Sequence, residues 1–232
     1  MTRLRAALLG TLLATPLAAQ EITTARFTEP TSRYGHAILG DDIEYGALEI
    51  EVAGQGVVRA RLPKHHVFED LAPRLWDVTG DGAPEVVVVE TDMARGAALA
   101  VYGPMGKITE TPHIGRSNRW LAPVGAADLD GDGTVEIAYV DRPHLAKILR
   151  VWRFRDGTLE PLAELEGFTN HRIGEKFISG GMRDCGEGPE MVLATADWRS
   201  LVAIRFDGAK FAVREIGPHE GPESFDAALA CG

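Results

Sequence analysis

Apolar and polar residues alternate with a period of two along much of this chain. Leu48, Ile50 and Val52 alternate with Glu49 and Glu51, and Ile148, Arg150, Trp152 and Phe154 alternate with Leu149, Val151 and Arg153. Successive side chains of a strand point to opposite faces, so this rhythm predicts β-structure. Glycine and proline punctuate the chain at roughly ten- to fifteen-residue intervals, and no long apolar stripe of period 3.6 interrupts the pattern. The elements expected are therefore short strands joined by tight turns.

The strands recur in units. "APRLWDVTGDGAPEVVVVETD", "APVGAADLDGDGTVEIAYVD" and "ISGGMRDCGEGPEMVLATAD" each set an apolar approach before an acidic, glycine-rich turn, a glutamate and a β-rich run. The marker residues are Glu85, Glu136 and Glu190, 51 and 54 residues apart. Each run is followed by a third strand ("GAALAVYGPMG", "AKILRVWRFRDG", "RSLVAIRFDGA") and a fourth ("ITETPHIG", "LEPLAELEG", "KFAVREIG"). Four strands in about 50 residues is the signature of a propeller blade. Upstream, "HAILGDD", "ALEIEVAG" and "VVRARLP", followed by "HHVFED", predict a first blade without an acidic turn. The expected fold is all-β: a small β-propeller, most simply four blades of four-stranded antiparallel sheets over about residues 22–218. A partly open or five-blade arrangement stays open if "ITTARFTE" joins another sheet.

The turn "DLDGDGTVEI" has a chemistry of its own. Asp128, Asp130 and Asp132 stand at positions one, three and five, Thr134 at seven and Glu136 at nine. Alternating carboxylates can fold inward round a hard cation that takes six to eight oxygens, while Gly131 and Gly133 let the backbone curl. The Thr134 carbonyl would add a ligand and Glu136 would close the far side. Four carboxylates in one turn repel one another unless a divalent charge offsets them. Calcium suits the set better than zinc, because the turn holds neither His nor Cys. An EF-hand is excluded: its bidentate acid at position twelve is here Tyr139, and strands rather than helices flank the turn.

With these residues in view, the chain resembles the FG-GAP or VCBS-type repeats, calcium-bearing propeller blades also found in integrin α-chains. Their pattern, roughly D-x-D-x-D-G-x-x-[DE] leading into a strand, is matched by Asp128, Asp130, Asp132 and Glu136. The earlier copy matches at Asp77, Asp81 and Glu85, with Thr79 in place of the second acid and the Ala83 carbonyl in the position of Thr134. The resemblance implies calcium at both, more weakly at the first. In the third copy Asp184, Glu187 and Glu190 fall out of register, and no calcium is expected there. Related repeats mediate adhesion and assembly, so the resemblance implies a binding or scaffold module with a protein or glycan partner.

The opening "MTRLRAALLGTLLATPLAAQE" has Arg3 and Arg5, an apolar run and small residues, the layout of a secretory signal peptide over residues 1–19. Residues 20–232 would then form one domain in a periplasm or outside the cell. Of 24 basic and 34 acidic residues the leader removes two arginines, leaving 22 minus 34, or −12. Such a surface repels nucleic acid and anionic lipid, and no basic patch with interleaved aromatics offsets it. Cys185 and Cys231, an even count in an exported chain, suggest one disulfide that closes the third turn; two free buried thiols are the alternative.

No nucleophile elbow, zinc-protease helix, P-loop or dinucleotide fingerprint occurs. The adjacent pair His65–His66 is compatible with a transition metal or an acid–base group, or with plain packing. His113 and His171 suit blade-to-blade hydrogen bonds, and Trp76, Trp120, Trp152 and Trp198 suit the spaces between sheets. Arg74, Arg119, Lys176 and Arg183 would form a positive spot if they met at a channel mouth. The leading expectation is an exported calcium-binding propeller acting as a binding module. The alternative is a lyase or hydrolase with its site at the channel mouth.

Overall fold

The computed structural model describes residues 21–231, and the leader reading of residues 1–19 lies outside them. The strands are short and numerous, as the period of two requires. β1 (Ile22–Thr31), β2 (Glu44–Val52) and β3 (Gly56–Arg61) form an antiparallel set with β2 in the middle. β5 (Arg74–Trp76), β6 (Glu85–Asp92), β7 (Gly96–Gly103) and β8 (Gly106–Glu110) form a meander, each strand pairing with the next. β9 (Leu121–Ala127), β10 (Glu136–Asp141), β11 (Ile148–Arg155) and β12 (Thr158–Glu166) form a second meander. β14 (Gly181–Asp184), β15 (Pro189–Thr195), β16 (Ser200–Phe206) and β17 (Phe211–Pro218) form a third. The three predicted units are these three meanders, and each acidic turn joins a unit's first strand to its second.

The first strand differs between units. In the middle unit β9 runs the whole length of β10, with an irregularity between Ala138 and Tyr139 that falls at Pro123, a residue without an N–H to donate. In the other two the same edge is covered in two pieces. β4 (His66–Phe68) pairs with Glu90–Asp92 of β6, and β13 (Phe168–Thr169) pairs with Ala194–Thr195 of β15. β4 also pairs with β2 at Tyr45 and Phe68, so β1 to β8 form one eight-stranded sheet, whose halves (β1–β3 and β5–β8) count below as the first and second sheets.

Alternation then divides the apolar residues between successive cores. Val86 and Val88 join Leu48, Ile50 and Phe68 between the first and second sheets. Val87 and Val89, on the opposite face of β6, join Leu121, Ile137 and Tyr139 between the second and third. Ala138 and Val140 join Met191, Leu193 and Ile204 between the third and fourth. Strands buried on both faces read as continuous apolar runs, which explains "EVVVVE". The two end faces are treated differently. The outer face of the last sheet packs Val192, Ala194 and Leu201 against Phe225 and Ala228 of α1 (Pro222–Leu229). On the first sheet, Arg26 and Arg59 both pair with Glu49.

Two points differ from the expected fold. "HAILGDD" is a turn segment rather than a strand; the first sheet takes "ITTARFTEPT" in its place. Ile38 and Leu39 are apolar because they plug the core between the second and third sheets, a role local pattern does not distinguish from a strand. Helix α1 was not anticipated: eight residues make too few turns to register as a stripe, although Pro222 suits a first helical position.

Candidate functional site

The acidic turns and a cavity lie at opposite ends of the sheets. Glu136 begins β10 beside its acidic turn, whereas Asp141 ends it beside Arg142 and Trp120.

The turn 128–136 is built from its own backbone. Asp128 accepts hydrogen bonds from the N–H groups of Gly131 (2.8 Å) and Gly133 (2.9 Å), Asp130 from Asp132, and Asp132 from Thr134. Gly131 and Gly133 have φ of 78° and 86°, the left-handed region that lets the N–H groups point inward. Glu136, fully buried, accepts from the Leu129 N–H. Burial pushes its carboxyl above the usual range, an effect opposed by that N–H and by Arg153. One ligand oxygen each from Asp128, Asp130 and Glu136 lies within 4.8 Å of the others, so the turn brings together three of the predicted ligands. Arg153, directly across the strand pair from Glu136, reaches Asp130 (2.5 Å), Asp132 (3.0 Å) and Glu136 (2.7 Å). Sequence reading missed this arginine. Its register opposite the marker glutamate was the available signal.

The turn 77–85 repeats the backbone pattern. Asp77 accepts from Gly80, Asp81 and Gly82, Asp81 from Ala83, and Glu85 from Val78 and Thr79. Burial likewise raises the Glu85 carboxyl. Val86 pairs with Tyr102, which sets Gly103 across from Glu85 where the next unit has arginine. The third turn is the reverse case. Glu190 is buried but meets Arg183 (2.6 Å), Arg205 (3.3 Å) and Arg214 (3.3 Å); burial would raise its carboxyl, and Arg183 above all holds it below the usual range. Cys185 and Cys231 are disulfide-bonded, so the third turn is tied covalently to the residue just past α1. The Arg183 guanidinium also donates to the Ala228 carbonyl of that helix.

The cavity at the other end measures about 310 Å³ and is walled by Ile38, Trp120, His144, Leu145, Ile173 and Arg119, among others. Leu145 and Ile173 are 64% and 70% exposed, an apolar rim. Polar groups converge close to its wall. His171 Nε2 lies 2.9 Å from the Glu175 carbonyl, which can only accept, so the proton sits on Nε2 and Nδ1 is left to accept from His144 Nε2 at 2.9 Å. Burial, reinforced by His171, pushes His144 down to about 4, so the pair is neutral at pH 7. His36 bonds Glu69 at 2.5 Å, Thr91 donates to the other Glu69 oxygen at 2.6 Å, and the Trp120 indole donates to the Glu69 carbonyl. Glu69 is fully buried, and burial raises its carboxyl.

The predicted cluster of four basic residues does not form. Arg74 is bound by Asp70, Arg183 by Glu190, and Lys176 lies 3.9 Å from Asp41. Only Arg119 reaches the cavity wall; the others were each set beside an acid that their position in sequence did not reveal.

Residues 77–139 match the FG-GAP-like repeat family. The match runs from the first aspartate of one acidic turn through the whole of the next, the segment in which Asp77, Asp81, Glu85, Asp128, Asp130, Asp132 and Glu136 all fall. Neither the curated proteins nor the solved structures include a match to the chain.

Proposed function

We propose that this chain is an exported, calcium-binding module of propeller type that holds a protein or glycan partner on the face bearing the cavity. Four sheets packed in sequence, each sharing a core with the next, support a blade-like fan whose two end faces are closed by α1 and by ion pairs. The observation that carries the calcium reading is the approach of Asp128, Asp130 and Glu136 to within 4.8 Å inside a segment that matches the FG-GAP-like repeat. Oxygen donors alone make up that set, which fits calcium. Asp128, Asp130, Asp132, Glu136 and the Thr134 carbonyl would hold the ion, with Arg153 covering the inner side. Asp77, Asp81, Glu85 and the Ala83 carbonyl would form a sparser second site.

The ions would stiffen the end of the sheets away from the cavity and leave the cavity face free. Its exposed rim of Leu145 and Ile173 favours a binding surface over a catalytic cleft. The decisive experiment combines two arms. Calcium should raise the melting temperature of the wild type and not of Asp130→Ala. Leu145→Asp with Ile173→Asp should abolish capture of an envelope glycan or protein while leaving that calcium response intact. Indifference to calcium in the wild type would refute the first half; undiminished capture by the double variant would refute the second.

One observation favours the enzymatic alternative: the bond between His36, which lines the cavity, and the buried Glu69, an arrangement suited to an oriented base. A lyase or hydrolase reading predicts turnover of an acidic sugar or phosphorylated substrate that His36→Ala abolishes.

A further inference from the structure

A second cluster of metal-binding donors, built round the adjacent pair His65–His66, lies apart from the acidic turns and from the cavity. His65 and His66 enter β4, Asp92 ends β6, and one ligand atom from each falls within 4.8 Å of the other two. His66 and Asp92 are buried, and His65 is exposed. We propose that His65, His66 and Asp92 bind a borderline divalent transition metal of the zinc class, with His113 as the adjacent fourth donor.

The hydrogen bonds behind the cluster orient its donors outward. His66 Nδ1 lies 2.7 Å from Glu90 Oε1, while the other oxygen of Glu90 takes the Tyr102 hydroxyl at 2.7 Å and the Lys107 ammonium at 2.6 Å. A carboxylate tied to a lysine acts as an acceptor, so the His66 proton sits on Nδ1 and faces Glu90. Nε2 then turns its lone pair toward Asp92 Oδ2 at 3.4 Å. That Oδ2 also accepts the Arg95 Nε–H at 2.8 Å, and its remaining lone pair faces the one on Nε2, a pairing that a cation between them would relieve. A carboxylate behind the distal nitrogen of a liganding histidine is the usual support for a bound zinc.

His113 supplies an independent sign. Its Nδ1 lies 2.8 Å from the Gly96 carbonyl, which can only accept, so that nitrogen carries the proton. Nε2 is then a bare lone pair, buried and without a hydrogen-bond partner, with Glu110 Oε1 4.0 Å away, on a side chain only 5% exposed. A buried polar atom left unpaired is rare and costly. The His113 ring stands edge-on to His66, with centroids 5.6 Å apart. Asp92 is steadied by the Ala94 N–H and by Arg95. Two imidazoles and one carboxylate, with the His113 ring beside them as a third imidazole, are a set that zinc, cobalt and copper accept and that calcium does not seek. The ion would pin β4 to β6 and to the segment after β8, at the end of the sheets opposite the acidic turns.

The mundane alternative is an imidazolium, with His66 protonated on both nitrogens and paired to Glu90 and Asp92. Co²⁺ separates the two, because a tetrahedral nitrogen-rich site gives intense visible absorption that a calcium-type oxygen site does not. Tag-free, full-length mature protein titrated with Co²⁺ in excess Ca²⁺ should develop those bands at one equivalent, and Zn²⁺ should abolish them. His65→Ala, an exposed position that spares the fold, and Asp92→Asn should each lower Co²⁺ affinity at least about tenfold. Nitrogen NMR of the histidines should show the His66 and His113 Nε2 signals move on adding Zn²⁺. The proposal is overturned if no bands form, if His65→Ala binds Co²⁺ as the wild type does, or if His66 is doubly protonated at pH 7 and unmoved by Zn²⁺.

Discussion

The first and third acidic turns start from the same local plan and resolve its charge in opposite ways. Asp77, Asp81 and Glu85 carry three formal negative charges, and no lysine or arginine bridges them among the described residues. Asp184, Glu187 and Glu190 also carry three, but Arg183, Arg205 and Arg214 carry three positive charges back. The middle turn stands between them, with four carboxylates and Arg153 alone. One register position accounts for much of this: across from the marker glutamate lie glycine, arginine and arginine in the three units. A turn whose carboxylates are met by guanidinium groups and a disulfide has no need of an ion. A turn with neither leaves its carboxylates to the turn's own backbone N–H groups.

The largest effect expected concerns the covalent half of this contrast. Opening the Cys185–Cys231 bond by Cys231→Ser frees a loop with a sequence separation of 46 residues. The chain-entropy model puts that at about 4 kcal/mol, or roughly a 10 °C fall in melting temperature for a chain of this size. Calorimetry that finds the variant as stable as the wild type would mean that the arginines alone secure the third turn.

Next comes the ion itself. Saturating calcium, at about a hundred times its dissociation constant, should stabilise the wild type by about 2.7 kcal/mol. Asp184→Asn should leave that gain intact and Asp130→Ala should remove most of it. A gain lost equally in both variants would erase the distinction between the turns.

Arg153→Gln sharpens the middle case. Without calcium it strips Glu136 of its charged partner, at a cost of about 2 kcal/mol. With calcium present it removes a competing positive charge, so calcium affinity should rise by a few-fold. Affinity that falls, followed by calorimetric titration, would show that the guanidinium shapes the site and does not compete for it.

The smallest effect is a titration. In calcium-free protein the Glu85 carboxyl should titrate above its ordinary value and Glu190 below. A raised carboxyl contributes stability present below its unfolded pKa and lost as pH rises through the folded one. A lowered carboxyl contributes stability present above its unfolded pKa and lost as pH falls through the folded one. Carboxyl-carbon NMR reads both; equal midpoints would sink the contrast, and calcium should move Glu85 down while leaving Glu190 in place.

Much of the fold was legible because strands buried on alternate faces write themselves as a period of two, and because the three units repeat. The disulfide was legible from an even cysteine count. The segment 36–42 was misread since the apolar plug of Ile38 and Leu39 looks like a strand locally. The arginine partners of the turns were not read, because each lies 15 to 24 residues from its acid or belongs to a neighbouring strand, and for Arg153 the hairpin register opposite Glu136 was the one sign. The His36–Glu69 and His144–His171 pairs were equally hidden, being joined across 33 and 27 residues.

By itself the sequence determined the strand periodicity, the number of repeating units and the turn geometry of each acidic loop, because these depend on neighbours a few positions away. Tertiary structure alone decided which carboxylates meet an arginine, which histidines share a proton, and where the apolar rim opens. Those outcomes depend on strand register and on the packing of one sheet against the next, and charge and proton placement follow distances in space rather than along the chain.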